Sequence, residues 1–187
     1  MKLDKETEEK LKAEAIKHLE KGKAGWDLPH TLACVYWMRK LIEKEGGNER
    51  ILVTAMYLHD IGYPEMGVDR GYEDMLRGKK VHEKIGARES EKILRKIGFS
   101  EDEIKKIVYL VRYHDSFEKL DTHDKQLIVE ADSLAAIDWE RVTPTFSRED
   151  SIRYLKYFKT KRAKDFKTET GKKFLKDLLE KAEHYWD

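Results

Sequence analysis

The stretch YLHDIGYPE, residues 57–65, places a histidine and an aspartate side by side at the end of an apolar run. His59 and Asp60 follow ILVTAMYL, which is apolar nearly all round and therefore predicts a central helix. Ionisable side chains at the edge of a core are costly unless a partner or an ion binds them. The pair is therefore the first place to look for metal or catalytic chemistry.

Asp132 is another ionisable side chain at a predicted inward position, on a different predicted helix. Its helical neighbours three and four positions away are Ile128, Val129, Ala135 and Ala136, so the carboxylate stands on an apolar stripe. An unpaired buried charge costs several kcal/mol, so this carboxylate needs a cation, a metal or a strong hydrogen-bond donor. Asp132 alone is equally well explained as half of a buried salt bridge.

Three histidines share this pattern of apolar or small neighbours three and four positions away: His30, His82 and His114. Gly86 stands four positions after His82, and its missing side chain leaves room for a close approach. A single buried histidine is more often held by a hydrogen bond than by a metal. However, four histidines and two aspartates, facing inward from different helices or helix ends, predict one shared site.

Three other histidines stand among polar neighbours and are left out of this site: His18, His123 and His184.

Imidazole combined with carboxylate is a donor set that suits divalent Fe, Mn, Zn, Co or Ni. Ligation by His30, His59, Asp60 and Asp132 would leave positions open on an octahedral ion for water or substrate. A structural metal is more often fully enclosed, commonly by cysteines. The pattern therefore favours catalysis over scaffolding. Cys34, the only cysteine, is expected to be a small buried apolar residue.

The composition narrows the class of protein. Lys and Arg number 38 against 37 Asp and Glu, a net charge of +1, so nothing favours nucleic acid as the main partner. No apolar run approaches the roughly 20 residues of a spanning helix, and the N-terminal stretch MKLDKETEEKLK lacks an apolar core. We therefore expect a cytoplasmic protein without a membrane anchor.

The chain reads as an all-α, single-domain helical bundle, since 187 residues suit one domain and no convincing strand pattern occurs. Asn48, Ser100 with Glu103, and Ser147 are predicted helix caps. The predicted helices cover about 4–21, 29–46, 48–60, 80–97, 100–114, 122–138, a short stretch after 147, and 162–186. Between them, residues 63–80 are rich in glycine and charge and predict a long functional loop or lid.

The ordered set H…HD…H…H…D on such a chain resembles the HD-domain superfamily of metal-dependent phosphohydrolases. HDIGY resembles the core motif, VHEKIGARESEKIL a segment that carries a further histidine in many members, and IVEADSLAAID the helix with the final metal-binding aspartate. The resemblance divides a single domain, 1–187, into an HD core at 26–140 and flanking helices at 1–25 and 141–187. It implies a small stand-alone hydrolase.

Carried over by position, the resemblance makes His30, His59, Asp60 and Asp132 the ligands of a first metal. His82 and His114 would either bind a second metal bridged by Asp60 or contact substrate phosphate around a single ion. The cofactor would be one or two divalent ions, chosen from Mn, Fe, Co, Ni, Zn and Mg. Asp60, His82 and His114 would then be the catalytic residues.

The implied reaction is hydrolysis of a phosphoester or phosphoanhydride in a small phosphorylated molecule, with nucleotides as leading substrates. Four cations in or beside the predicted loop are candidate phosphate contacts: Arg70, Arg77, Lys79 and Lys80. Two alternatives stay open. One is a di-iron oxygenase on the same ligand set, and the other is a non-catalytic sensor that keeps its metal site.

Overall fold

The computed structural model describes the backbone of residues 1–67, 72–117 and 120–187, and the side chains of the same residues apart from 66 and 72–80. Within these ranges the chain forms eight α-helices and no strand, which confirms the predicted all-α class. The helices are α1 (Lys5–Leu19), α2 (Asp27–Glu45), α3 (Glu49–Leu58), α4 (Tyr72–Ile97), α5 (Glu101–Arg112), α6 (His123–Ile137), α7 (Arg148–Tyr157) and α8 (Glu169–Glu183). No helix in the described ranges is long and apolar enough to cross a membrane.

The predicted caps fix several helix starts. The side chain of Asn48 accepts a hydrogen bond from the Ile51 amide at the start of α3, and Ser147 caps α7 in the same way. Ser100 and Glu103 form the predicted capping box before α5. These bonds satisfy amide groups that the first turn of a helix leaves without an internal partner.

Helix α3 is the centre of the bundle, as its apolar sequence predicts. All of its residues from Ile51 to Leu58 are buried. It packs against α1, α2, α5 and α6, while α2 also lies along α6 and α4 along α5. The His59-Asp60 pair therefore follows the most enclosed helix, and the other predicted ligands lie on α2, α4 and α6 or just after α5.

The prediction of a long loop over residues 63–80 is wrong in its second half. Tyr63–Met66 form a single 3-10 turn, and α4 begins at Tyr72 instead of near residue 80. Gly78 and the many charges hide the helical period in this segment. Once the packed part of α4 has formed, however, each further helical turn costs little because nucleation is already complete.

The C-terminal helix is also shorter than predicted. Residues Phe158–Arg162 form a π-helical turn and Ala163–Asp165 a 3-10 turn. The last helix, α8, starts only at Glu169, where the Thr168 side chain accepts a hydrogen bond from the Gly171 amide. A charged sequence without a clear hydrophobic period does not distinguish such turns from a continuous helix.

Two glycines let α4 cross the turn that follows α3. A Cβ atom on Gly62 would lie 2.2 Å from the His82 carbonyl oxygen and 2.7 Å from the Gly86 amide nitrogen. A Cβ atom on Gly86 would lie 3.3 Å from the His59 carbonyl oxygen. The two backbones therefore touch, and this contact brings His82 close to the His59-Asp60 pair.

We expect Gly62→Ala to lower the free energy of unfolding by about 1–3 kcal/mol, because its methyl group would meet rigid backbone. Gly86→Ala is the graded comparison, since its contact is looser and alanine favours a helix over glycine by about 1 kcal/mol. Urea unfolding of both variants measures the difference. Equal stability of Gly62→Ala and the wild-type protein would contradict this close backbone contact.

Candidate metal centre

Asp60 lies at the middle of a cluster of histidines, with its two carboxylate oxygens facing different partners. Oδ2 lies 3.4 Å from His59 Nε2 and 3.7 Å from His30 Nε2. Oδ1 lies 3.4 Å from His114 Nε2 and 3.5 Å from His82 Nε2. We call the Oδ2 side the first half of the site and the Oδ1 side the second half.

The first half is completed by Asp132, which α6 presents to α2. Asp132 Oδ1 lies 3.0 Å from His30 Nε2 and 3.8 Å from His59 Nε2. Both histidines are buried, whereas the Asp132 side chain keeps 13% of its surface exposed. Three elements thus converge here: α2, the turn after α3, and α6.

The second half is a pair of fully enclosed histidines. His82 on α4 and His114 after α5 have their Nε2 atoms 3.0 Å apart. The Tyr63 ring stacks on His82 with a centroid distance of 3.8 Å. The turn that carries His114 is held by Lys125, whose ammonium group donates to the Ser116 carbonyl at 3.0 Å and to the Tyr113 carbonyl.

Backbone hydrogen bonds fix which ring nitrogen two of these histidines turn toward the site. His59 Nδ1 lies 2.8 Å from the Met56 carbonyl oxygen, and His114 Nδ1 lies 2.7 Å from that of Val111. Because a carbonyl only accepts, each Nδ1 carries a proton, so in the neutral ring Nε2 is the nitrogen whose lone pair is available to a metal. The donor set, its burial and its spacing all fit a divalent cation.

A family model described as the HD domain matches residues 28–137. The chain belongs to the HD-domain family. The crystal structure of a predicted HD superfamily hydrolase from an uncultured Thermotogales bacterium superposes with a TM-score of 0.62 at 22% sequence identity. The match covers 95% of this chain and 87% of that chain, which shows a shared fold. Among curated proteins, none matches the chain.

The electrostatics of this HD domain favour positive charge at the site. Burial alone would lower the pKa of His59, but the Asp60 carboxylate and the Cys34 sulfur outweigh it and raise the pKa to about 10. Burial would likewise raise the pKa of Asp60, yet His59, His114 and His82 hold it well below its ordinary value. Protons and metal ions compete for such a cluster, since a ligating imidazole must be neutral.

The structure places all six predicted ligands in this one cluster. The excluded histidines, His18, His123 and His184, lie outside it, as the sequence predicts. Arg70 lies outside the described residues. The side chains of Arg77, Lys79 and Lys80 also lie outside the described part of the chain, so their role in phosphate binding stays a prediction.

Asp115 also lies beside the histidine cluster, although it was not among the predicted site residues. Its Oδ2 lies 3.8 Å from His114 Nε2 and 3.9 Å from His82 Nε2, which adds a third carboxylate beside the second half. The Asp115 backbone amide donates a hydrogen bond of 3.0 Å to Glu83 Oε1. The signal that could have found it is its position directly after His114, a predicted ligand.

Arg162 is the second residue that the sequence analysis missed. It is buried in the π-helical turn and donates from Nη2 to Ser133 Oγ at 3.0 Å. Nη1 lies 3.8 Å from Asp115 Oδ1, and Nη2 lies 3.8 Å from Asp132 Oδ2. A single arginine thus faces a carboxylate from each side of the site. Nothing distinguished it from the charged residues around it in the sequence.

A small cavity of about 70 Å³ opens beside this candidate metal centre. Asp60, His114, Asp115, Asp132 and Arg162 line its polar side. Its rim carries aromatic residues, among them Trp26, which stacks on His30 at 5.4 Å between ring centroids, and Phe146. The Lys23 ammonium group lies 4.6 Å from the centre of the Phe146 ring.

Proposed function

We propose that this HD-domain protein is a metal-dependent hydrolase that cleaves a phosphoester or phosphoanhydride bond in a small molecule, with nucleotides as the leading substrate class. The observation that carries the proposal is that the two carboxylate oxygens of Asp60 face two separate sets of histidine donors. The structural relative from the Thermotogales bacterium, described as a predicted hydrolase, supports the general class of reaction.

His30, His59, Asp60 and Asp132 would hold one divalent ion, and Asp60 with His82 and His114 would hold a second. When bound, such ions supply a nucleophilic water at neutral pH and a Lewis acid for a phosphoryl oxygen. The protein contributes the fixed arrangement. His59 and His114 are oriented by backbone carbonyls, so little reorganisation is needed when the site is loaded.

Asp115 and Arg162 have complementary roles in this proposal. The Asp115 carboxylate stands beside the second half, where it can accept a hydrogen bond from the attacking water and orient it. Arg162 faces the same cavity and offers N–H groups to phosphoryl oxygens, whose negative charge grows during the reaction. Both residues therefore act on the substrate side of the metal ligands.

The size of the cavity limits what can enter it. A volume of about 70 Å³ suits a phosphoryl group or a few waters, and it is far below the roughly 300–1,000 Å³ of a pocket that encloses a whole organic ligand. The remainder of the substrate would lie at the rim, against Trp26, Phe146 and Lys23. Aromatic rings beside a cation suit a planar base with an anionic tail, which supports a nucleotide.

The test is metal analysis of the purified protein joined to a phosphate-release screen over nucleotides with Mn²⁺, Co²⁺, Ni²⁺ and Mg²⁺. We expect activity to depend on a divalent ion and to collapse in Asp132→Ala, because that change removes a carboxylate from the first half. Full activity of Asp132→Ala would contradict the proposal. O₂ consumption by an iron-loaded, coloured protein would favour the oxygenase alternative, and binding of phosphorylated compounds without turnover would favour the sensor.

A further inference from the structure

The first half of the metal centre contains a sulfur atom that the expected ligand set does not use. Cys34 stands one helical turn after His30 on α2, so both side chains project from the same face of the helix. Cys34 is fully buried. Its Sγ atom lies 3.5 Å from His30 Nε2 and 3.7 Å from His59 Nε2. The thiol therefore lies beside the two ring nitrogens that would bind the ion proposed for the first half.

These distances match those between two ligands of one ion. With roughly 2.3 Å from zinc to sulfur and 2.0–2.1 Å to nitrogen, a tetrahedral site places sulfur and nitrogen about 3.5 Å apart. The ligand atoms of His30, Cys34, His59 and Asp132 all lie within 4.8 Å of one another. Sulfur, two imidazole nitrogens and a carboxylate oxygen thus form one group that could hold a metal ion beside Asp60 Oδ2.

We propose that Cys34 is a metal ligand of the first half, and that its sulfur makes this half prefer Zn²⁺ or Co²⁺ over Mg²⁺. The chemical reason is the softness of the donor: thiolate binds zinc and related ions strongly, whereas Mg²⁺ selects oxygen. The inference rests on the divalent-metal centre proposed above. It adds a choice of metal, which that proposal leaves open.

Cobalt gives a readout that does not depend on activity. Bonding between a thiolate and Co²⁺ produces an intense near-ultraviolet charge-transfer band, while the weaker visible bands report any bound Co²⁺. Since Cys34 is the only cysteine of the chain, a thiolate band can come from no other residue. We expect the band in the wild-type protein and its loss in Cys34→Ala and Cys34→Ser, with the visible bands retained.

Metal affinity provides the second measurement. Loss of even a supporting partner of a ligand costs about 10–100-fold in metal affinity, so Cys34→Ser should weaken Zn²⁺ binding by at least about tenfold. Binding of Mg²⁺ should stay unchanged, which a general loss of structure would not produce. Val35→Ala is the matched control, since it trims a buried neighbour on the same helix that is absent from the group of donor atoms.

The outcomes separate the two proposals. Cobalt bound without a thiolate band, or unchanged Zn²⁺ affinity in Cys34→Ser, would overturn the role of Cys34 and leave the phosphohydrolase proposal standing. A thiolate band in a protein that releases no phosphate would support Cys34 as a ligand while the proposed reaction fails. A protein that binds no divalent metal would overturn both.

Discussion

Replacing Asp60 by asparagine should lower metal-dependent phosphate release by roughly 1,000-fold or more, since a loss of about 4 kcal/mol of transition-state stabilisation has that effect. The amide keeps the size of the side chain but removes the charge that faces both pairs of histidines. The metal content per chain should fall in the same variant. Steady-state kinetics and elemental analysis of one preparation measure both effects.

Asp138→Asn is the matched control for this experiment. Asp138 is also a buried aspartate, but it accepts hydrogen bonds from the Trp37 indole and the Arg141 guanidinium group, outside the donor cluster. An amide oxygen can still accept from the indole, so this variant should keep its metal and its activity. Retention of activity in Asp60→Asn, or an equal loss in both variants, would argue against a special role for Asp60.

Replacing His114 by glutamine should remove the metal of the second half alone. His114 contacts Asp60 Oδ1 and His82, whereas the Oδ2 side keeps its own histidines. We expect the metal content to fall from about two ions per chain to about one, and activity to fall at least about 100-fold because the second ion's charge is lost. Elemental analysis with titration of the stripped protein measures the stoichiometry.

His123→Gln serves as the control, because His123 is exposed and lies outside the donor cluster. It should keep full metal content and activity. If His114→Gln kept all of its metal and instead bound substrate more weakly, His114 would be a phosphate contact beside a single ion. That result would contradict the two-ion arrangement.

Much of the fold and the clustering of the candidate metal ligands could be predicted because each of these residues carries a local signal. Helix α3 is apolar nearly all round from Ile51 to Leu58, so its central place could be predicted from its sequence. Asp132 interrupts an apolar stripe, and a buried charge without a partner is too costly to be accidental. Gly86 marked a close approach, which the structure shows to be that of α4 to the His59 carbonyl.

The remaining features depend on contacts that the sequence does not encode locally. Arg162 reaches the site through a π-helical turn that no pattern in the charged C-terminal region predicts. Cys34 was expected to be buried, and it is, but the direction of its sulfur toward His30 and His59 depends on how α2 lies against α3. The start of α4 at Tyr72 depends on propagation from a packed helix.

Anomalous scattering from crystals of the Mn²⁺-loaded protein tests the central claim most directly, because it locates each ion without reference to activity. We predict one peak among His30, His59, Asp60 and Asp132, and a second peak among Asp60, His82 and His114. Both peaks should be absent from Asp60→Asn crystals or strongly reduced in them. Ions bound elsewhere, or no ion beside Asp60 in the loaded wild-type protein, would contradict the claim that Asp60 lies between two ion sites and contributes one oxygen to each.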